Sequence, residues 1–297
     1  MITLAISIAF SVAVSIFLKI SRNCRIQIDQ AIAINYVVAS ALTLGLFSPP
    51  LDTVSSLPLP AWIILGLLGV LLPAVFLIMA AAVRQAGIVL SDAAQRMSLV
   101  LPIVAAFLVF HEVMSGRKAT GIALALCALL CLITRPHKAT PAPTVQDAAN
   151  SGTRHAGTRA TWAVLLGVWM GYGIIDILFK QMARLGTGFT QGLMLSFVLA
   201  AILMFLWLLT ANKTRWDARS LASGVLLGAL NFGNIYFYIR AHQTFPHNPT
   251  LVFAAMNIGV ISIGTLAGAG FFRERLTRVH IAGIALALVA VVTLFPH

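Results

Sequence analysis

At 297 residues, 60% hydrophobic and only 9% charged, the chain falls far below the roughly 25% charge of a typical soluble domain, which excludes a water-soluble globular protein. A formal net charge of +12 would suit nucleic acid, but the Lys and Arg residues stand in short clusters between apolar runs. They read instead as membrane-flanking anchors and contacts to anionic lipids, with no nucleic-acid partner.

A hydrocarbon core of about 30 Å takes about 20 apolar residues per helix, and runs of that length recur. Breaks at charge clusters and Gly/Pro-rich turns predict helices at 2–19, 30–47, 61–83, 88–110 and 118–134, then 161–182, 189–210, 220–240, 249–272 and 279–295. The first run, ITLAISIAFSVAVSIFL, lacks a basic start and is long for a signal peptide, so a retained span is expected. A polar linker, 135–160, separates a first unit, 1–134, from a second, 161–297. The three cysteines are an odd number, and Cys127 and Cys131 lie one helical turn apart, which points to packing rather than a disulfide framework or a metal site.

The two units align. FHEVMSGRKATGIALAL and FRERLTRVHIAGIALAL match without a gap, placing Phe110 on Phe272, Glu112 on Glu274 and Gly121 on Gly283 at an offset of 162. At nearly the same offset Lys19 falls on Lys180, Gly69 on Gly228, and INYVVAS of the second helix on LSFVLAA of the seventh. This is the signature of an internally duplicated five-helix unit. With an odd number of spans per unit the second copy enters the membrane from the other side. The expected fold is therefore all-α integral membrane, with ten transmembrane helices as two inverted-topology five-helix repeats, an architecture common in transporters.

Loops after helices 1, 3, 5, 7 and 9 hold most of the basic residues, among them Arg22, Arg25, Arg84, Arg215 and Arg278. The opposite side has Arg117, Lys118, Lys180, Arg184 and Arg240. By the positive-inside rule both termini are expected outside and the linker in the cytoplasm, in a multi-pass protein of the bacterial inner membrane.

SDAAQRMSLVLPIVAAFLVFHE followed by GIALALCALLCLI, with the second copy FRERLTRVHIAGIALALVAVVTLF, resembles the paired EamA units of the drug/metabolite transporter superfamily over nearly the whole chain. The shared features are the helix-4 proline Pro102, a Glu at the helix 4 to 5 turn and a Gly opening the next helix. The resemblance implies a ten-helix carrier of small metabolites such as amino acids, sugars, nucleosides or amphipathic drugs. The chain departs from it in placing Gly264 opposite Pro102, and in a charge distribution opposite to the termini-inside arrangement of many members.

Ionisable groups inside a span cost about 2.5–3.5 kcal/mol each on insertion scales and so mark function or compensation. Asp176 shares a face with Tyr172 and Lys180, either as a proton- or substrate-binding carboxylate or as the partner of Lys180 in an ion pair. Its first-half counterparts are Ser11, Ser15 and Lys19. In helix 4, Asp92 and Arg96 lie one turn apart beside Gln95, whose counterpart is Asn257. Arg96 would suit a substrate carboxylate or phosphate, or a structural pair with Asp92. The helix-8 stripe Asn231, Asn234 and Tyr238 faces apolar counterparts at Leu72, Val75 and Met79, and is expected to line a cavity or to hydrogen-bond between helices. Tyr36 and Ser40 are a weaker version, read as packing. Glu112 and Glu274 stand at matched helix ends, where capping, ion pairs with Arg273, Arg275 or Arg117, and gating are expected. The tryptophans read as interface anchors, with Trp169 close enough to Asp176 to line a cavity.

HExxH, GxSxG, Walker and dinucleotide-binding patterns are missing from the sequence, so neither an enzyme nor a bound cofactor is expected. The function expected is a secondary, non-ATP transporter moving a small metabolite or amphipathic compound by alternating access, with Asp176 as the candidate proton-coupling group. The alternative is a membrane-embedded enzyme or lipid-processing protein using the same cavity. Its partners are then a small-molecule substrate, membrane lipids and a coupling proton, with the chain working as a monomer or homodimer.

Overall fold

The computed structural model describes residues 2–23, 26–49, 58–133, 154–185, 188–210, 216–272 and 278–294. Among them every regular element is helical: α1 (Ile2–Asn23), α2 (Ile28–Phe47), α3 (Leu59–Met97), α4 (Val100–Leu108), α5 (Gly116–Ile133), α6 (Arg154–Ala183), α7 (Phe189–Thr210), α8 (Ala218–Thr244), α9 (Pro249–Phe272) and α10 (Arg278–Leu294). Six of these, or stretches within them, are long and apolar enough to cross a membrane. Large apolar side chains, including Trp62, Leu130, Leu166, Ile202, Leu206, Leu288 and Val292, point outward. An outer surface of that kind suits lipid rather than water, and the chain is a multi-pass helical membrane protein.

The expected break between helices at 84–87 is corrected in its form. Helical backbone continues from Leu59 to Met97, and the non-helical step comes at Ser98 and Leu99. The packing nevertheless demands a reversal. A Cβ on Gly171 would meet Val75, and one on Gly173 would meet Leu101. A straight helix rising about 1.5 Å per residue would put Val75 and Leu101 about 39 Å apart. Ala82 and Ala94 also pack into one cluster with Leu165 and Val168. The chain therefore doubles back between Ala82 and Ala94, within the Leu59–Met97 helical stretch, so a Gly/Arg-containing turn was legible but its local backbone was not.

Close approach is carried by glycines. Gly121 of α5 abuts Leu294 of α10, and Gly283 of α10 abuts Leu132 of α5, so the two helices lie antiparallel. Gly69 of α3 abuts Leu199 of α7, while Gly228 of α8 abuts Val38 and the Asn35 carbonyl of α2. Small residues at such sites let backbones approach in a medium that supplies no hydrophobic drive between helices. The linker core 134–153, together with Glu274, Arg273 and Arg275, lies outside the described residues, as do the side chains of Lys19 and Asp92. α6 begins at Arg154, earlier than the expected start at 161.

Candidate functional site

α2 and α8 run parallel, and their two ends differ. At the end where α2 stops (Phe47) and α8 nears its close (Arg240, His242), a cavity of about 1100 Å³ opens. The chain segments that follow α4, α6 and α8 complete its wall. Among the described residues it is lined by four cationic side chains, Lys118, Lys180, Arg184 and Arg240, and one carboxylate, Glu112. That charge balance follows from the sequence: four of the five basic residues assigned to the charge-poor side converge on it.

The single carboxylate is already engaged. Glu112 is buried and accepts the Thr250 backbone N–H at 3.1 Å and the Thr250 hydroxyl at 2.7 Å, capping the start of α9. Its other oxygen pairs with Lys118 Nζ at 2.9 Å. The ion partner is thus Lys118, while Arg117 Nε donates to the Thr293 carbonyl at 2.8 Å. Lys180 is 2% exposed and donates from Nζ to the Pro246 carbonyl at 2.9 Å. The Asp176–Lys180 ion pair, one of the two readings of Asp176, does not form. Arg184 lies over the Phe110 ring, 4.7 Å from its centroid, with no carboxylate partner among the described residues. Arg240 donates to Gln243 at 3.0 Å.

The cavity also has an aromatic wall. Tyr236 stacks on Phe47 at 4.7 Å and on Phe189 at 5.9 Å between centroids, and all three line the cavity. At its floor His242 is 1% exposed, and neither ring nitrogen has a hydrogen-bond partner. Its ring packs edge-on against Tyr238 at 4.9 Å and Phe253 at 4.7 Å. One turn deeper in α8, the Tyr238 hydroxyl donates to Asp176 Oδ1 at 3.1 Å, and the Asn257 side chain also hydrogen-bonds Asp176. Asp176, half-buried, thereby joins α6, α8 and α9 about 6 Å below the His242 level.

The residues expected to bind substrate are therefore spread rather than gathered. Asn231 donates to Asn35 of α2 at 3.1 Å. Asn234 accepts from Ser7 of α1, through its side chain at 3.1 Å and its backbone at 2.9 Å. Only Tyr238 of that stripe turns toward Asp176. The Trp169 indole donates to the Met97 carbonyl at 3.0 Å, satisfying a helix-end acceptor. Arg96 and Gln95 occupy the last turn of α3, both half-buried, with the Gln95 carbonyl accepting from the Ser98 hydroxyl. Tyr172 packs beside Asp176's turn of α6, and Asn257 Nδ2 also donates to the Phe253 carbonyl at 3.1 Å. Tyr36 is fully buried with its ring against Phe197, and Ser40 donates to its carbonyl. Of the site candidates named from sequence, Lys180 and Glu112 line the cavity, joined by Lys118, Arg184 and Arg240, which the sequence named only as basic residues of the charge-poor side. His242 and Tyr236 were not singled out, although the i, i+4 step from Tyr238 to His242 was there to be read.

The opposite end of the α2–α8 pair is closed by a polar latch. The Ser220 hydroxyl accepts from the Gln27 backbone N–H at 2.9 Å, and Gln30 Oε1 accepts from the Asp217 backbone N–H at 3.0 Å. Asp217 caps α8, accepting from the Ser220 N–H at 2.9 Å and hydroxyl at 2.6 Å. Those bonds hold its carboxyl below the usual carboxylate range.

An all-helical membrane protein with a basic, aromatic-walled cavity at one end and a latch at the other is thus the class defined by fold and site. No family model matches the chain. Over 299 aligned residues it is 46% identical to an uncharacterized protein of Haemophilus influenzae, covering 98% of this chain and 97% of that one, and it belongs to that protein's family. A solved crystal structure shares its fold with a TM-score of 0.73 over 98% of this chain and 94% of that one, at 13% identity.

Proposed function

We propose that the protein is a secondary transporter of the EamA type, in which two inverted five-helix repeats alternate access to a site between them. The observation that carries this reading is the contrast along α2 and α8, open at one end and latched at the other, as one state of a rocking carrier requires. The helix pairings support it. Exchanging the first unit for the second turns Gly121–Leu294 into Gly283–Leu132 and Gly69–Leu199 into Gly228–Val38, and both members of each pair are contacts in the structure. On this reading α3 and α4 together supply two crossings, for ten in all. The positive-inside pattern puts the latch at the cytoplasmic face of a bacterial inner membrane and the cavity outside, and substrate enters from there in this state.

Asp176 is the candidate coupling group. It sits beneath the cavity floor on three helices, and one proton crossing 100 mV supplies about 2.3 kcal/mol. Asp176→Asn should leave substrate binding in place and abolish the dependence of uptake on an imposed pH gradient in proteoliposomes. Unchanged gradient-driven uptake would remove the coupling role.

Alternating access is tested without knowing the substrate. In a background lacking the native cysteines, single cysteines at His247 on the cavity wall and at Gln27 of the latch, whose backbone bond to Ser220 the substitution retains, are labelled in sealed vesicles by an impermeant maleimide from either side. Breaking the latch with Asp217→Ala and Gln30→Ala should lower labelling at 247 and raise it at 27. Parallel or absent changes at the two sites overturn the rocking mechanism.

A further inference from the structure

The cavity's chemistry narrows what it takes, and this step rests on the transport reading above. We infer that the cavity binds an amphipathic organic anion, its carboxylate or phosphate held by Lys180 and Arg184 over His242, its apolar or aromatic body laid against Tyr236, Phe47 and Phe189.

Three independent observations converge. The first is charge: four cations face one carboxylate on the wall, and that carboxylate is occupied by Thr250 and Lys118. Arg184 is left without a counter-ion among the described residues, its planar fork suited to bidentate capture of an acid group. The second is His242, a polar ring buried to 1% exposure on the cavity lining with both nitrogens unpartnered. Buried polar groups are nearly always satisfied, and an imidazole N–H at the floor is a donor waiting for an acceptor. The third is the aromatic side: Tyr236, Phe47 and Phe189 form a stacked surface facing a region that polar solutes alone would not need. Lys180 has an ordered position because Pro246 O holds it, so the acid group meets a preformed charge rather than a flexible one. The same chemistry is offered by two sources, a soluble organic acid and the phosphate of an anionic lipid.

The purified full-length protein in phosphatidylcholine nanodiscs is titrated calorimetrically with phenylacetate and phenyl phosphate, with benzyl alcohol and benzylamine as neutral and cationic controls of similar shape. The anions should bind and the controls should not. Arg184→Gln, at an exposed helix end where folding is spared, should weaken the anions about tenfold or more. His242→Phe should weaken them as well, and Tyr236→Ala should weaken phenylacetate far more than acetate. Displacement of phenyl phosphate by phosphatidylglycerol in the nanodisc assigns the site to lipid headgroups, while retention of binding assigns it to a soluble acid. Equal binding of benzylamine, or indifference of the anions to Arg184→Gln, overturns the inference. Binding of anions without their uptake in proteoliposomes would sink the transport reading and leave this one standing.

Discussion

The two ends of the α2–α8 pair are held by opposite kinds of polar chemistry. At the latched end the polar groups satisfy one another: Gln27, Gln30, Asp217 and Ser220 close a ring of hydrogen bonds over a few ångströms. At the open end charges outnumber their counter-charges, and among the described residues the His242 ring has no hydrogen-bond partner and Arg184 no carboxylate. A saturated network gains nothing from a ligand, whereas an unsaturated one does. Sites of recognition are thus found where polar groups are in excess, and sites of closure where they balance. The middle of the pair, at Gly224 and Gly228, is neither; there the glycines lie close against the α2 backbone and the side chains of Ile34 and Val38.

That contrast can be broken most severely at its middle. Gly228→Leu places a side chain where a Cβ alone would lie 2.7 Å from Val38 Cβ and 2.9 Å from the Asn35 carbonyl. A loss of about 3 kcal/mol is expected, read as a fall in thermal midpoint and in expression. At the open end, Glu112→Ala strips the α9 cap and the Lys118 pair and should destabilise by about 2 kcal/mol, with Glu112→Gln retaining part of it. Tyr238→Phe removes the hydroxyl from Asp176, a smaller loss of about 1.5 kcal/mol.

At the latch the effect is pH-dependent. The folded-state pKa of Asp217 lies below its unfolded value. Its stabilisation is therefore present above the ordinary carboxylate range and is lost as pH falls through the depressed value. Asp217→Asn should flatten the acid limb of the unfolding profile by lowering stability near neutrality, where the ionised cap is present, and leave stability below the depressed pKa little changed. Smallest of all, Val292→Ala on the outward face of α10 should alter stability by under about 0.5 kcal/mol in bilayers, since lipid replaces the lost methyl contacts.

The helices and their glycine seams were legible because span length and small-residue spacing are local properties of sequence. Gly69 on Gly228 and Gly121 on Gly283 were paired by register alone, and each proves to be a close-packing position. Glu112 was legible as a capping residue because a carboxylate at a helix end has few other uses. The cavity was not, because its wall is assembled from the ends of α2, α5, α6, α7, α8 and α9 and the segment after α4, whose meeting depends on how the helices tilt. The Asn231, Asn234 and Tyr238 stripe looked like one face, but α8 is surrounded: Asn231 meets α2, Asn234 meets α1 and Tyr238 meets α6. Steps of i+3 and i+7 place residues along one stripe, and neighbouring helices then divide it.

The α5–α10 seam has a consequence of its own. Gly121 and Leu132 both belong to α5, and each meets the other's counterpart on α10. The surface is self-complementary in the way of an isologous dimer interface. A polypeptide ending after Ile133 already owns both the hole and the knob, so two such half-molecules inserted in opposite senses could rebuild the seam without the second half of the chain.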